Sequence, residues 1–240
     1  MSKPIQSSNI LSIDIGGSYV KATILDKDGN MVNDYQKKAT PSQASPEQLL
    51  ATIQELTKDM GDHDYVSIGF PGYVKKGVVM TAPNLGSEQW HRIDFRAMVE
   101  TTLNKPTKLV NDADMQGLGV ASGKGLELVI TLGTGMGSAL LLDGKLLPHL
   151  EIAHHPICKK KDYDEYIGDI AFAKKGIDKW NVRMEYVLHV LKTVFNYDTL
   201  YIGGGNAKHL RLSLDENIRV INNKDGIKGG ARLWALPAAE

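Results

Sequence analysis

One pattern occurs twice in this chain and constrains its fold more than any other feature. An apolar strand runs into a glycine-containing loop, a second strand follows, an Asp-Gly turn reverses the chain, and a third strand returns. The first copy lies near residues 10–36, with loop Gly16-Gly17-Ser18 and turn Asp28-Gly29-Asn30. The second lies near residues 126–148, with loop Gly133-Thr134-Gly135-Met136-Gly137 and turn Asp143-Gly144. An Asp-Gly pair between two strand-like runs is a hairpin signal, because both residues accept positive φ. No third copy appears, so this is a duplication and not a solenoid. Two similar halves, each with its own glycine loop, predict two lobes facing one cleft. No low-complexity linker interrupts the chain, so the expected boundary is a hinge near residues 110–116.

Helices fill the intervals. Ser45, Pro46 and Gln48 have the spacing of a capping box with proline at the first helical position. Leu49, Ile53, Leu56 and Met60 then recur on one face, and Gly61 is a natural stop. Tyr65–Phe70 reads as a short buried strand ending at Pro71-Gly72. A second helix is expected from near Asp94, with Phe95, Met98, Val99 and Leu103 on one face, and Pro106 ends its pattern. Lys108-Leu109-Val110 is a short strand that delivers Asn111 and Asp112 at its end, where open α/β sheets usually build their sites. Trp180, Met184, Val187, Leu191 and Val194 mark one long amphipathic helix. Leu200-Tyr201-Ile202 reads as a strand, the last residues as a short helix with a frayed end, and residues 1–8 as a loose polar tail.

Bulk properties exclude several classes. The 28 basic and 28 acidic residues cancel, so no net charge draws the chain to nucleic acid or an anionic membrane. With Cys158 as the single cysteine, no intrachain disulfide can form and no multi-thiolate zinc site can be built. The polar start lacks the apolar stretch of a signal peptide, and no apolar run approaches a membrane span. A cytoplasmic protein without nucleic-acid or membrane partners is the expectation.

The residues that can carry chemistry cluster at strand ends. Adjacent glycines let backbone N–H groups face an anion, so Gly16 and Gly17, with the Ser18 hydroxyl, can hold phosphate. Asp14 just before them can hold magnesium through water. The loop from Thr131 through Gly133, Thr134 and Gly135 offers the same chemistry, as does the cluster Gly203-Gly204-Gly205-Asn206. None of these is a P-loop or a dinucleotide fingerprint. Asp112 can take the proton of an alcohol that attacks phosphorus. Asp114 competes for that role but reads better as the N-cap of the following helix. Glu151 and His154, in LEIAHHP, suit hydrogen bonding to sugar hydroxyls. The pairs Lys37-Lys38 and Lys75-Lys76 and the run Lys159–Lys161 read as solvated charge.

Taken together, DIGGSYVKA, GFPG, TAPNL, NDADMQGLG, TLGTGMGSALLLDG, EIAHHP and FNYDTLYIGGGNAKHL resemble the ROK sugar kinases, and more closely their polyphosphate glucokinase branch. The resemblance runs from about Ile10 to Trp234. It implies an α/β, two-lobed actin-like ATPase fold of ribonuclease H type with duplicated βββαβα units. The lobes would be a small one at 1–112 and a larger one at 113–240, whose final helix is free to pack back on the first. It implies phosphorylation of glucose at O6 with Mg2+ and polyphosphate or ATP. Asp112 would be the base. Gly69, Asn84, Asn111, Glu151 and His154 would contact the sugar. Asp14, Gly16, Gly17, Ser18, Lys21, Thr134, Gly135 and Gly203–Gly205 would face the donor. The family's cysteine-rich zinc motif is missing beside Cys158, so no zinc is expected. The absence of an N-terminal helix-turn-helix argues against a repressor role, and a homodimer is implied. A kinase for another hexose, such as N-acetylmannosamine or fructose, and a non-catalytic sugar sensor are the alternatives.

Overall fold

The computed structural model describes residues 8–222 and 226–235. The expected loose tail at 1–8 lies almost wholly outside the described residues, as does the expected frayed end after residue 235. The chain divides into two compact units, one drawn from Met1–Gly119 with Gly226–Glu240 and the other from Val120–Asp225.

The first unit is built on β1 (Ile10–Ile15), β2 (Tyr19–Leu25), β3 (Gln36–Ala39), β4 (Tyr65–Phe70) and, beyond a small hairpin of β5 (Val74–Lys75) and β6 (Val78–Val79), β7 (Thr107–Asn111). Its sheet order is β3-β2-β1-β4-β7, antiparallel through β1–β3 and parallel from β1 to β7. Helices α1 (Pro46–Thr57), α2 (Phe95–Leu103) and α3 (Asp112–Val120) connect or follow these strands. The capping box at Ser45 forms as its spacing predicts, with both reciprocal hydrogen bonds present. Asp94 caps α2 through the Ala97 amide.

Alternation along β1 and β4 gives this sheet two different faces. Leu11, Ile13, Ile15, Val66, Ile68 and Phe70 share one apolar core with Leu49, Ile53 and Leu56 of α1, and Phe70, Trp90 and Phe95 pack there as an aromatic trio. The other face carries small or polar residues, Ser12, Asp14, Ser67 and Gly69, in directly paired positions. Small side chains let backbone approach closely. A helix near the end of the chain, α7 (Gly229–Ala235), uses that room on β1 and β4. Ser12 Oγ donates to the Ile227 carbonyl at 2.9 Å and Ser67 Oγ to the Gly230 carbonyl at 2.6 Å. Trp234 Nε1 donates back to Ser67 Oγ at 2.9 Å, and Lys108 Nζ closes the helix end on the Leu233 carbonyl at 2.7 Å.

The second unit repeats the plan. Strands β8 (Leu126–Leu132), β9 (Met136–Leu142), β10 (Lys145–Leu146), β13 (Thr199–Gly203) and β14 (Ile218–Val220) pair in the order β10-β9-β8-β13-β14, position for position that of the first sheet. Between β10 and β13 lie the hairpin β11 (Pro156–Cys158) with β12 (Lys161–Asp162) and helices α4 (Tyr163–Ile167), α5 (Asp169–Lys175) and α6 (Ile177–Phe195). Asp143 and Gly144 both have positive φ, 49° and 77°, as a tight hairpin of this type requires.

Three sequence expectations need adjusting. The division falls after Gly119 and not at 112, because α3 packs on β4 of the first unit. Val194 does not join the buried stripe of α6: Trp180, Met184, Val187 and Leu191 are buried, but Val194 is 65% exposed one residue before the helix ends. The third strand of the first copy starts at Gln36, after a single bridge between Leu25 and Met31.

A buried carboxylate fixes the start of the second unit. Glu127 accepts hydrogen bonds from the Ser122 amide and hydroxyl at 2.6 and 2.9 Å, the Gly123 amide at 2.9 Å and the Tyr201 hydroxyl at 3.0 Å. Burial pushes its carboxyl up, but these donors together outweigh burial and hold it below the usual range. A carboxylate with a depressed folded pKa stabilises above its unfolded value of about 4.3 and loses that effect as pH falls through the folded one. Glu127→Gln puts an amide against amide donors. It should lower stability by about 1–3 kcal/mol at neutral pH. The gap between parent and variant, read from urea midpoints, should shrink as pH drops below about 4.

Candidate active site

The structural centre of the candidate site in the first unit is the β7–α3 junction. Asn111, the last residue of β7, is buried. Its Oδ1 accepts the Ala113 amide at 2.7 Å and the Asp114 amide at 3.3 Å, as an N-cap does. Its Nδ2 donates to the Gly72 carbonyl at 3.1 Å and so ties the loop after β4 to the same point. Asn111 therefore takes the capping role that the spacing assigned to Asp114, which sits instead inside the first turn and is buried. Asp112 is the first helical residue, half-buried, with Oδ1 on the Ala113 amide at 2.8 Å. A carboxylate there is favoured by the positive end of the helix.

Gly69 explains why Asp112 can be where it is. A Cβ at Gly69 would lie 2.8 Å from Met115 Cε and 3.2 Å from Asp112 Cα, so a side chain would crowd the end of Met115 and press on the first turn of α3. Gly69 is paired with Asp14 across β1 and β4, which puts Asp14 one strand from Asp112 on the same sheet face. Asp14 in turn pairs with Lys21 across β1 and β2, and the Lys21 ammonium lies 3.2 Å from its carboxylate. Side-chain exposures of 16% and 29% make this a half-sheltered ion pair. The first glycine loop lies at the end of the same strands. Gly17 and Ser18 are exposed, and a Cβ on Gly17 would touch the Asn84 side chain at 3.6 Å. The structure thus brings Asp14, Gly16, Gly17, Ser18, Lys21, Gly69, Asn84, Asn111 and Asp112 to one end of this sheet, where Asp14, Lys21 and Gly69 share a face and Asn111, opposite Phe70, lies on the other.

In the second unit the other two glycine clusters meet. Gly203 pairs with Thr131, and Gly204, with φ 87°, lies against the backbone of Leu132 so closely that no side chain fits. Gly133 and Gly205 have open space where a Cβ would be. Asn206, just past the third cluster, donates to Asp169 Oδ1 at 2.6 Å and to the Gly133 carbonyl at 3.4 Å. The Asp169 amide donates to the Gly133 carbonyl at 3.0 Å. Thr131, Gly133, Thr134, Gly135 and Gly203–Gly205 therefore form one backbone-lined cluster, held by two polar side chains.

Glu151 and His154 are brought to a short helical turn that ends at His154. Two partners appear that sequence spacing had not singled out. His149, 6% exposed, places Nε2 3.5 Å from Glu151 Oε1, and this imidazole holds the Glu151 carboxyl below its usual value against opposing burial. Its signal was the alternation His149-x-Glu151, weak because any extended segment has it. Asp164 packs its carboxylate on Gly135 and accepts the Met136 amide at 2.7 Å. Burial raises its pKa, with the nearby Asp162 and Glu151 charges adding to the effect. Nothing local in the sequence marks it, since its neighbours lie some thirty residues earlier. His154 itself is exposed, 4.0 Å from Asp162. Among the described residues, no group of three or more His, Cys, Asp or Glu side chains is arranged to hold a metal ion.

The family model described as ROK family matches residues 10–151. A polyphosphate glucokinase of Mycobacterium leprae (strain TN) is 35% identical over 205 residues, covering 80% of this chain and 62% of that protein. The chain thus spans less than two thirds of that relative. A polyphosphate glucokinase of Mycobacterium tuberculosis (strain ATCC 25618 / H37Rv) is 32% identical over 208 residues, covering 82% of this chain and 77% of that protein. Among solved structures, an inorganic polyphosphate/ATP-glucomannokinase from Arthrobacter sp. strain KM matches with a TM-score of 0.85 at 31% identity, over 95% of this chain and 98% of that one. A ROK family glucokinase from Streptomyces griseus, with a TM-score of 0.77 and 20% identity over 95% and 99% of the two chains, shares the fold.

The Asn111 junction yields a stability prediction. Asn111→Ala removes the cap and leaves the Gly72 carbonyl without its donor, so unfolding should become easier by about 1–2 kcal/mol. Chemical denaturation midpoints check this. An unchanged midpoint would mean that the side chain does not hold the junction.

Proposed function

The chain belongs to the ROK family, and we propose that it phosphorylates glucose at O6 with inorganic polyphosphate or ATP as donor. The observation that carries the reading is the placement of Asp112. Asp112 starts α3, is fixed by Asn111 and Gly69, and lies one strand from Asp14 on a shared face. A carboxylate so held can accept the proton of the sugar 6-hydroxyl as that oxygen attacks the terminal phosphorus. The Asn84 side chain lies against the exposed Gly17 loop, where it can orient the sugar beside the donor. Asn111, largely engaged in capping, acts mainly by positioning Asp112. In the second unit, Glu151, kept ionised by His149, is suited to accept hydrogen bonds from sugar hydroxyls, with His154 beside it.

The donor's charge is met by backbone and by few side chains. Within the first unit, Gly16, Gly17 and Ser18 can offer backbone to phosphate oxygens; within the second, Thr131, Gly133, Thr134, Gly135 and Gly203–Gly205 offer the same chemistry, with open space at Gly133 and Gly205. Lys21 adds a cation. Magnesium fits this donor set, because it keeps most of its waters, takes one or two carboxylates and is otherwise held by substrate phosphates. Asp14 is the carboxylate that would hold it, and when bound the ion would neutralise phosphate charge. No helix among the described residues is long and apolar enough to cross a membrane. The same reading takes the protein as cytoplasmic and homodimeric, which rests on the family resemblance alone.

Two measurements test the proposal. Asp112→Asn should cut turnover by about 10²–10⁴-fold while glucose still binds, read by steady-state kinetics and by titration with glucose. Turnover close to that of the parent would remove Asp112 from the base role. A coupled assay with glucose, run with polyphosphate and with ATP at matched magnesium, should show turnover with at least one donor. Mannose belongs in the same assay, since the Arthrobacter neighbour is a glucomannokinase. Failure with both donors on both sugars would overturn the reading.

A further inference from the structure

The face that carries Asp112 and Asp14 continues outward across the sheet, and what it carries there is not used by the reaction. Asp14 on β1 pairs with Lys21 on β2, and Lys21 pairs with Lys37 on β3. Cross-strand partners share a face. The three side chains therefore form a row that leaves the Asp14 position and runs to the edge strand, about 4.8 Å per step. Lys37 is exposed, and its ammonium lies 4.8 Å over the ring of Tyr19, itself 44% exposed. The edge strand is pinned to the first glycine loop. Thr40 Oγ1 donates to the Gly16 carbonyl at 2.7 Å, and the Thr40 amide donates to the Ser18 carbonyl at 3.0 Å. Lys38, one position on, points to the other face and pairs with Glu55 of α1. The basic pair Lys37-Lys38 is thus split by strand alternation. One lysine is neutralised on α1. The other shows no ion pair among the described residues and lies in line with Lys21 and Asp14.

The structure assigns this row a ligand: we infer that Lys37, on its Tyr19 platform, binds the distal phosphates of a linear polyphosphate whose reacting end lies at the Gly16–Ser18 loop and Lys21. This rests on the kinase reading above and deepens it on the donor side. A linear polyphosphate carries charge along its whole length, so each further cation in line adds attraction. ATP ends in a nucleoside after three phosphates and gains nothing from a cation set further out. The carboxylate of the row, Asp14, is already matched by Lys21. Lys37 is therefore a specificity residue for long donors, and not part of the chemistry.

The experiment compares donors of different length. Lys37→Glu should raise the KM for a long-chain polyphosphate by about fivefold or more at low salt, with the effect shrinking as salt screens it. The KM for glucose should stay in place, as should that for the shortest donor the parent turns over, ATP or tripolyphosphate. Lys37→Arg should keep the long-chain KM. Lys38→Ala, on the opposite face, should keep it too and serves as the control for nonspecific charge loss. An unchanged long-chain KM in Lys37→Glu would overturn the inference, as would an equal rise for short donors or an equal rise in Lys38→Ala. If the parent turns over ATP but no polyphosphate, the inference falls while the kinase reading survives. If it turns over neither, both fall. Retained turnover with the short donor shows that the variants are folded.

Discussion

A helix can approach a sheet only as closely as the side chains between them allow, and the first unit depends on that limit. Ser12, Ser67 and Gly69 are the small residues of paired strands on one face. They admit the Ile227 carbonyl just before α7 to Ser12 and the Gly230 carbonyl of α7 to Ser67, and they admit the first turn of α3 over Gly69. The opposite face of the same strands is filled with Leu11, Ile13, Ile15, Ile68 and Phe70 and holds α1 by ordinary apolar packing. The sheet therefore spends its large residues on one side for stability. Its small ones, on the other side, bring a carboxylate-bearing helix terminus next to Asp14.

The second unit reaches a similar end by a different route. Its sheet has the same strand order, but the close approach is between strand ends and not between helix and strand. Gly204, at positive φ, folds the third glycine cluster onto Leu132, and Asn206 and Asp169 then bind the Gly133 carbonyl. The duplicated plan thus yields two backbone-lined loops of unlike construction. One is fastened by Thr40 from the edge strand, the other by Asn206 and Asp169.

Carboxylates divide by environment. Glu127 and Glu151 are held below their usual range, the first by amides and hydroxyls and the second by an imidazole. Asp164, buried against Gly135 with one amide to accept from, is pushed up. Glu151 and Asp164 are thus driven in opposite directions within the second unit, and the Glu151 charge adds to the rise at Asp164.

Periodicity, turn chemistry and capping are local, and they were readable from residues alone. The duplicated strand–loop–strand plan, the Ser45 capping box, the helix start near Asp94, the span of Tyr65–Phe70 and the hairpin at Asp143-Gly144 all depend on neighbours within a few positions. Contacts made across the sheet were not readable in that way. That Asn111 and not Asp114 caps α3 follows from the angle at which β7 delivers the chain. That Gly69 is a seat for Asp112, that His149 and Asp164 flank Glu151, and that Lys37 and Lys38 diverge to different partners all follow from pairing registers and from residues tens of positions apart. Short-range rules set what each segment becomes. Only long-range packing decides which side chains meet, because the distance between two residues along the chain says little about their distance in the folded sheet.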